Sequence, residues 1–389
     1  MPAMITRAIE PHLKKCFSVY PVVTITGPRQ SGKTTLARAC FPKLPYINLE
    51  HLETRRFAEE DPVAFMNQIP EGAILDEIQN VPDLTSYIQV AVDETNQNGR
   101  FVLTGSCQFS LMEKVSQSLA GRTAIITLLP FSRSELNGHY PKCSKKTDEL
   151  IFRGFYPRLY DQAIPPAMGL SDYIATYIEK DLRQLSQIQN LGLFQKFMKL
   201  CAGRTGQLLN MSGLAEDTGI NHTTATEWIS LLESSYIVFR LPPYFANISK
   251  RLIKSPKLYF YDTGLAASLL GIEEARQIAT HPLRGALFEN LVISEIIKHR
   301  LNQGKRSNLS FFRDAKGHEV DLLIQQADQI IPVEIKSGAT VRDDFFKGLN
   351  YFHKHMQACD KKILVYDGDR NEKRSHAVVT NSASVTDWL

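Results

Sequence analysis

The sequence lacks any apolar run long enough to cross a bilayer. Its longest apolar stretches, such as Ala124 to Pro130, fall far short of the roughly 20 residues that a spanning helix needs, so no membrane span is expected. It also lacks the uninterrupted hydrophobic block of a secretory signal, because Arg7, Glu10, Lys14 and Lys15 break up its start; export is not expected. Close cysteine pairs are missing too. Cys16, Cys40, Cys107, Cys143, Cys201 and Cys359 are scattered, which excludes a zinc knuckle or a paired redox motif and leaves reduced thiols in a cytoplasm. Charge of one sign is scarce: a formal net charge of +4 neither demands nor excludes a polyanionic partner. A local basic run does exist at Lys250, Arg251, Lys254 and Lys257. Neither repeats nor low-complexity tracts are present.

What is present is enough for two or three domains, since 389 residues at 43% apolar content exceed one ordinary core. Strand, loop and helix alternate through residues 1–140, the rhythm of a parallel sheet covered on both faces. Strands are expected at Pro21 to Thr26, Tyr46 to Leu49, Ala73 to Leu75, Phe101 to Thr104 and Ala124 to Leu129. The polar stretch His139 to Thr147 marks a boundary. Over 141–275 the apolar period turns helical, with Tyr173, Ile174, Tyr177, Ile178 and Leu182 on one stripe and Leu193, Phe194, Phe197, Met198 and Cys201 on the next. Ser212 to Leu232 reads as helix, glycine turn, helix, with Ser212 and Asn221 as caps and Gly219 in the turn. Tyr236 to Leu241 and Lys257 to Tyr261 would supply the wing of a winged helix. Residues 276–389 return to mixed α/β.

Gly27-Pro28-Arg29-Gln30-Ser31-Gly32-Lys33-Thr34 fits the GxxxxGK[ST] pattern, follows an apolar strand and runs through Thr35 into a helix. That context identifies a phosphate-binding loop for ATP. Its glycines let main-chain N–H groups wrap the β-phosphate, Lys33 reaches the β and γ oxygens, and the Thr34 hydroxyl ligates Mg²⁺. Ala73-Ile74-Leu75-Asp76-Glu77 supplies the acidic pair that such a loop requires. Asp76 would hold the metal through its water shell, and Glu77 would orient or deprotonate the attacking water. Thr104, ending a later strand, would sense the γ-phosphate or that water. Arg122, just past the following helix, would reach a neighbour's γ-phosphate if subunits form a ring.

The order Gly-Pro-Arg-Gln-Ser-Gly-Lys-Thr-Thr, Leu-Asp-Glu-Ile-Gln, Leu-Thr-Gly-Ser and Leu-Ala-Gly-Arg resembles the AAA+ branch of prokaryotic ATPases that carry a C-terminal domain of unknown function 4143. Ile178-Glu-Lys-Asp-Leu, Tyr259-Phe-Tyr-Asp-Thr-Gly-Leu and Gly285-Ala-Leu-Phe-Glu-Asn extend the resemblance over nearly the whole chain. It implies a P-loop AAA+ core and a ring-forming homo-oligomer.

Asp321 and Glu334-Ile335-Lys336 have the spacing of a PD-(D/E)xK nuclease half-site. If 321–324 and 331–336 form a hairpin turning at Ala327-Asp328, residues whose numbers sum to 655 face each other, setting Asp321 opposite Glu334. Lys336 then shares the face of Glu334, and Glu289 on the preceding helix would complete a site for one or two Mg²⁺ ions. The fold class expected is therefore α/β: a P-loop ATPase core, a helical and winged-helix module, and a restriction-nuclease-like mixed α/β domain. The second helix of the helix-turn-helix exposes Asn221, His222, Thr223, Thr226 and Glu227, a surface able to touch phosphates or bases but poor in cations. The leading expectation is an oligomeric ATPase that moves or remodels DNA; the alternative is an ATP-dependent remodeller or switch of proteins that docks through its C-terminal modules.

Overall fold

The β-branched pentad Val22–Thr26 forms β1 and is buried at every position, as a strand in a parallel sheet covered on both faces should be. Its threonines are satisfied sideways; Thr24 Oγ1 lies 3.0 Å from Thr123 Oγ1. The computed structural model describes residues 5–105, 118–140, 146–178, 190–244, 255–356, 361–375 and 377–389. The expected contributions of Ser106, Lys250, Arg251, Lys254, Leu182 and most of the Ile178-Glu-Lys-Asp-Leu stretch lie outside the described residues. Two compact units are present: the first runs to Phe131 and includes 234–236 and 300–305, and the second takes 132–233, 237–299 and 306–389.

In the first unit, β1 joins β2 (Tyr46–Asn48), β3 (Ala73–Asp76), β4 (Phe101–Thr104) and β5 (Thr123–Thr127) in a five-stranded sheet of order β2-β3-β4-β1-β5. Every neighbouring pair is parallel. Strand alternation sends successive side chains to opposite faces. Val23, Ile25, Ile74 and Val102 meet Leu13 of α1 (Glu10–Val19) and Leu36 of α2 (Lys33–Cys40). Val22, Leu75 and Leu103 meet Ile88 and Val92 of α3 (Leu84–Thr95) on the other face. This order sets β4 between β1 and β3, so the end of β4 stands between the ends of the strands that carry Gly27 and Asp76.

In the second unit, α4 (Leu191–Gly203) buries the apolar stripe Phe194, Phe197, Met198 and Cys201. Next come α5 (Met211–Thr218), Gly219 at φ 89°, and α6 (His222–Ser234). Asn221 caps α6, accepting from Thr224 N at 2.7 Å. The expected cap of α5 is corrected: Asn210, not Ser212, accepts from Gly213 N at 3.1 Å, because the extended backbone at Asn210 aims its amide oxygen at the first turn. β6 (Val238–Leu241) and β7 (Lys257–Phe260) pair antiparallel. Beyond the helix α7 (Arg284–Asn302) lie β8 (Leu309–Arg313), β9 (Glu319–Gln326) and β10 (Gln329–Lys336). After α8 (Lys347–Met356), β11 (Ile363–Tyr366), β12 (Glu372–Lys373) and β13 (Val378–Asn381) complete a six-stranded mixed sheet. The expected hairpin register is observed from Gln326 opposite Gln329 to Leu322 opposite Val333. Among the described residues, no helix is long and apolar enough to cross a membrane.

Candidate functional site

The loop after β1 is shaped by close approach. Gly27 has φ 143°, and a Cβ there would meet the Leu128 carbonyl oxygen at 2.1 Å, so no other residue fits. Gly32, at φ 92°, turns the chain into α2, whose first residue is Lys33. Lys33 is buried, and its ammonium donates to the carbonyls of Gly27 at 3.0 Å and Pro28 at 2.8 Å. Burial pulls its pKa down to about 8, against the opposing pull of Glu77 and Asp76. The Ser31 hydroxyl is buried without a hydrogen-bond partner among the described residues. Gly27, Pro28, Arg29, Gln30, Ser31, Gly32, Thr34 and Thr35 surround Lys33 as one continuous loop and first helical turn.

Arg7 gave no signal in the sequence. Its guanidinium donates to the Ser31 carbonyl and the Leu129 carbonyl, each at 2.7 Å, and lies over the Phe131 ring at 4.9 Å. It thereby fastens the phosphate loop to the segment leaving β5.

Asp76, at the end of β3, gathers three hydroxyls. Thr34 donates to its two oxygens at 2.9 and 3.0 Å, Tyr46 at 2.8 Å, and Thr104 reaches it from the end of β4. Tyr46 was not foreseen; burial and its bond to Asp76 raise its pKa. Glu77 follows in a left-handed conformation, φ 56° and ψ 47°, a state that costs a non-glycine residue about 1–3 kcal/mol. Gln79 Nε2 donates to the Glu77 side chain, while the Glu77 N–H donates to Thr104 Oγ1 at 3.4 Å. Lys33, Thr34, Asp76, Glu77 and Thr104 are thus brought together at the C-terminal ends of three strands, with the hard oxygen donors of Thr34 and Asp76 suited to a hydrated Mg²⁺.

Arg122 is not brought there. It precedes β5, whose first residue, Thr123, pairs with Val22, and so stands at the opposite end of the sheet from Gly27. It forms a two-pronged ion pair with Asp93, Nε at 2.5 Å and Nη2 at 2.8 Å. Within one subunit it stands away from the phosphate loop, so a contact with a γ-phosphate would require another copy.

The acidic residues of the second unit converge, but differently from the expected metal cage. Asp321 accepts from the Ile335 N–H at 2.8 Å. Lys336 lies 2.6 Å from Glu334 and 3.5 Å from Asp321. Glu289 accepts from Tyr259 and, at 3.1 Å, from Lys257. Among the described residues no group of three His, Cys, Asp or Glu side chains is placed to hold a metal ion. The expectation of a site for one or two Mg²⁺ ions is therefore corrected: lysines occupy the carboxylates. Lys257, the last residue of the basic run in the sequence, is itself buried.

With this geometry in view, comparison with known proteins is informative. Residues 19–137 match the AAA domain family, 144–276 the domain of unknown function DUF8612, and 284–385 the domain of unknown function DUF4143. An uncharacterized protein of Mycobacterium tuberculosis is 30% identical over 333 residues, covering 84% of this chain and 73% of that protein. A counterpart in Mycobacterium bovis matches with the same figures. Among solved structures, a Walker-type ATPase of Pyrococcus abyssi matches at TM-score 0.47 and 14% identity, covering 68% of this chain and 96% of that one. A RuvB variant of Thermotoga maritima matches at TM-score 0.30 and 20% identity, covering 60% and 86%.

Proposed function

The chain belongs to the P-loop ATPase family that joins an AAA domain to a C-terminal DUF4143 region, and on that premise we propose that it is an Mg²⁺-dependent ATP hydrolase that works as a homo-oligomeric ring. The observation that carries this reading is the convergence of Thr34, Tyr46 and Thr104 on Asp76, with Glu77 next in the chain. Thr34 and Asp76 would hold Mg²⁺, which when bound neutralises charge on the β and γ oxygens. Lys33 turns from the loop carbonyls to the phosphates, and the main-chain N–H groups from Gly27 to Thr34 bind their oxygens. Glu77 accepts the proton of a water whose oxygen attacks the γ-phosphorus, and the bond from that phosphorus to the ADP oxygen breaks. Thr104 fixes the distance between Asp76 and the reacting centre. Arg122 of each subunit would serve the neighbouring one.

DNA is the proposed partner, met by the exposed polar residues His222, Thr223 and Thr226 of α6. A second reading, remodelling of a protein, is favoured by one observation: α6 carries no lysine or arginine, whereas duplex binding draws most of its affinity from cations on phosphates. Phosphate release measured with Mg²⁺ against single-stranded, duplex and junction DNA separates the two. Stimulation by DNA that fades as salt rises supports the first reading; equal rates with and without every nucleic acid support the second. The segments 141–275 and 276–389 are proposed as the modules that carry the response.

A further inference from the structure

The carboxylate cluster of the second unit has the chain pattern of a metal-dependent nuclease half-site and a side-chain arrangement that contradicts it. Lys257, the first residue of β7, is held by strand pairing opposite Leu241. Its ammonium lies 2.6 Å from Glu319 and 3.1 Å from Glu289, with the Phe311 ring 5.5 Å away. Tyr259 donates to the same Glu289 oxygen as Lys257, which leaves that oxygen little capacity for a metal. Arg313 takes the other oxygen of Glu319 at 3.2 Å. Lys336 takes Glu334 and Asp321. One polar atom is left over: Glu334 Oε2 is buried without a hydrogen-bond partner among the described residues. A cluster built for a divalent ion would aim its carboxylate oxygens at one shared point; here they are aimed at two ammonium groups.

We infer that Lys257 is the resident cation at Glu289 and Glu319, and that its ammonium keeps a divalent metal ion from the carboxylates that these residues and Asp321 bring together. The ammonium pairs with Glu289 and Glu319 and repels a metal cation that would compete for them. Removing its charge while keeping its bulk leaves Glu289 and Glu319 without that ammonium, open to neutralisation by a proton or by a divalent ion. The inference is independent of ATP hydrolysis and concerns other residues.

Binding of Mn²⁺ to the full chain, followed by electron paramagnetic resonance without nucleotide, tests it. Asp321→Asn identifies any signal from the cluster. The wild-type chain is expected to show no Asp321-dependent Mn²⁺ site. Lys257→Met is expected to gain one site, at least tenfold tighter than any in the wild type and abolished by adding Asp321→Asn. Should Lys257→Met fail to fold by circular dichroism, Lys257→Gln, which retains a hydrogen-bond donor, takes its place with the same expectation. Asp321-dependent Mn²⁺ binding by the wild type overturns the inference, as does a folded neutral variant that binds none.

Discussion

Thr34 spans the carboxylate of Asp76, its hydroxyl 2.9 Å from one oxygen and 3.0 Å from the other, and so ties the first turn of α2 to the end of β3. The two residues are far apart in sequence and meet only because the sheet order sets these elements side by side. Thr34→Val keeps the shape and removes the hydroxyl. It is expected to lose most Mg²⁺-dependent hydrolysis, on the order of 100-fold for one misplaced catalytic contact. Tyr46→Phe, which removes only a supporting bond of about 1 kcal/mol, is expected to cost severalfold. Rates against Mg²⁺ concentration for both variants check this ranking.

Lys33 gives the site a pH signature. Its folded pKa, depressed to about 8 by burial, lies below that of the unfolded chain, so without nucleotide the folded state binds fewer protons between about 8 and the ordinary lysine range. Stability attributable to this group therefore rises with pH across that window and is reduced below it. A triphosphate reverses the preference, since it needs the ammonium. ATP affinity is expected to fall above pH 8, by up to about tenfold per pH unit, with proton uptake on binding. Calorimetry in buffers of different ionisation enthalpy measures that uptake, and Lys33→Arg should flatten the dependence.

Arg7 is expected to matter for binding. Loss of its bonds to the Ser31 and Leu129 carbonyls leaves the phosphate loop unfastened on one side. Arg7→Ala should weaken ATP binding about tenfold, the scale of one charge-assisted hydrogen bond, with a smaller effect on the turnover of bound nucleotide. Titration with a fluorescent ATP analogue checks the first part and single-turnover kinetics the second.

Arg122 faces a choice between Asp93 and a neighbouring subunit. A trans role predicts that Arg122→Ala and Lys33→Ala chains, each inactive alone, recover part of the activity when mixed. Asp93→Ala, which only releases the arginine from its exposed pair, should retain or raise the rate. Absence of recovery in oligomers shown to be mixed assigns Arg122 to the surface pair alone.

Much of the first unit was legible because its signals are local. An apolar strand followed by Gly-rich sequence and a helix has one common physical solution; in the second unit a turn at Ala327-Asp328 likewise sets the β9–β10 register locally. What escaped was long-range. Tyr46 and Arg7 act through contacts that no spacing encodes, and Arg122 could not be paired with Asp93 without the fold. Asn210 and Ser212 are both competent caps, and backbone geometry chose between them. Lys257 looked like part of a basic surface run. It is buried because its acidic partners, Glu289 and Glu319, arrive from distant elements.

The most direct test is the rate of phosphate release by Glu77→Gln, with ATP binding measured in parallel. Glu77, next in the chain after Asp76, is the residue proposed to take the proton of the attacking water, and its backbone conformation is one that a non-glycine residue adopts at a cost. Turnover is expected to fall by about 10²–10⁴-fold, the usual contribution of a general base, while ATP affinity stays within about threefold of the wild type. An unchanged rate in Glu77→Gln would contradict the account.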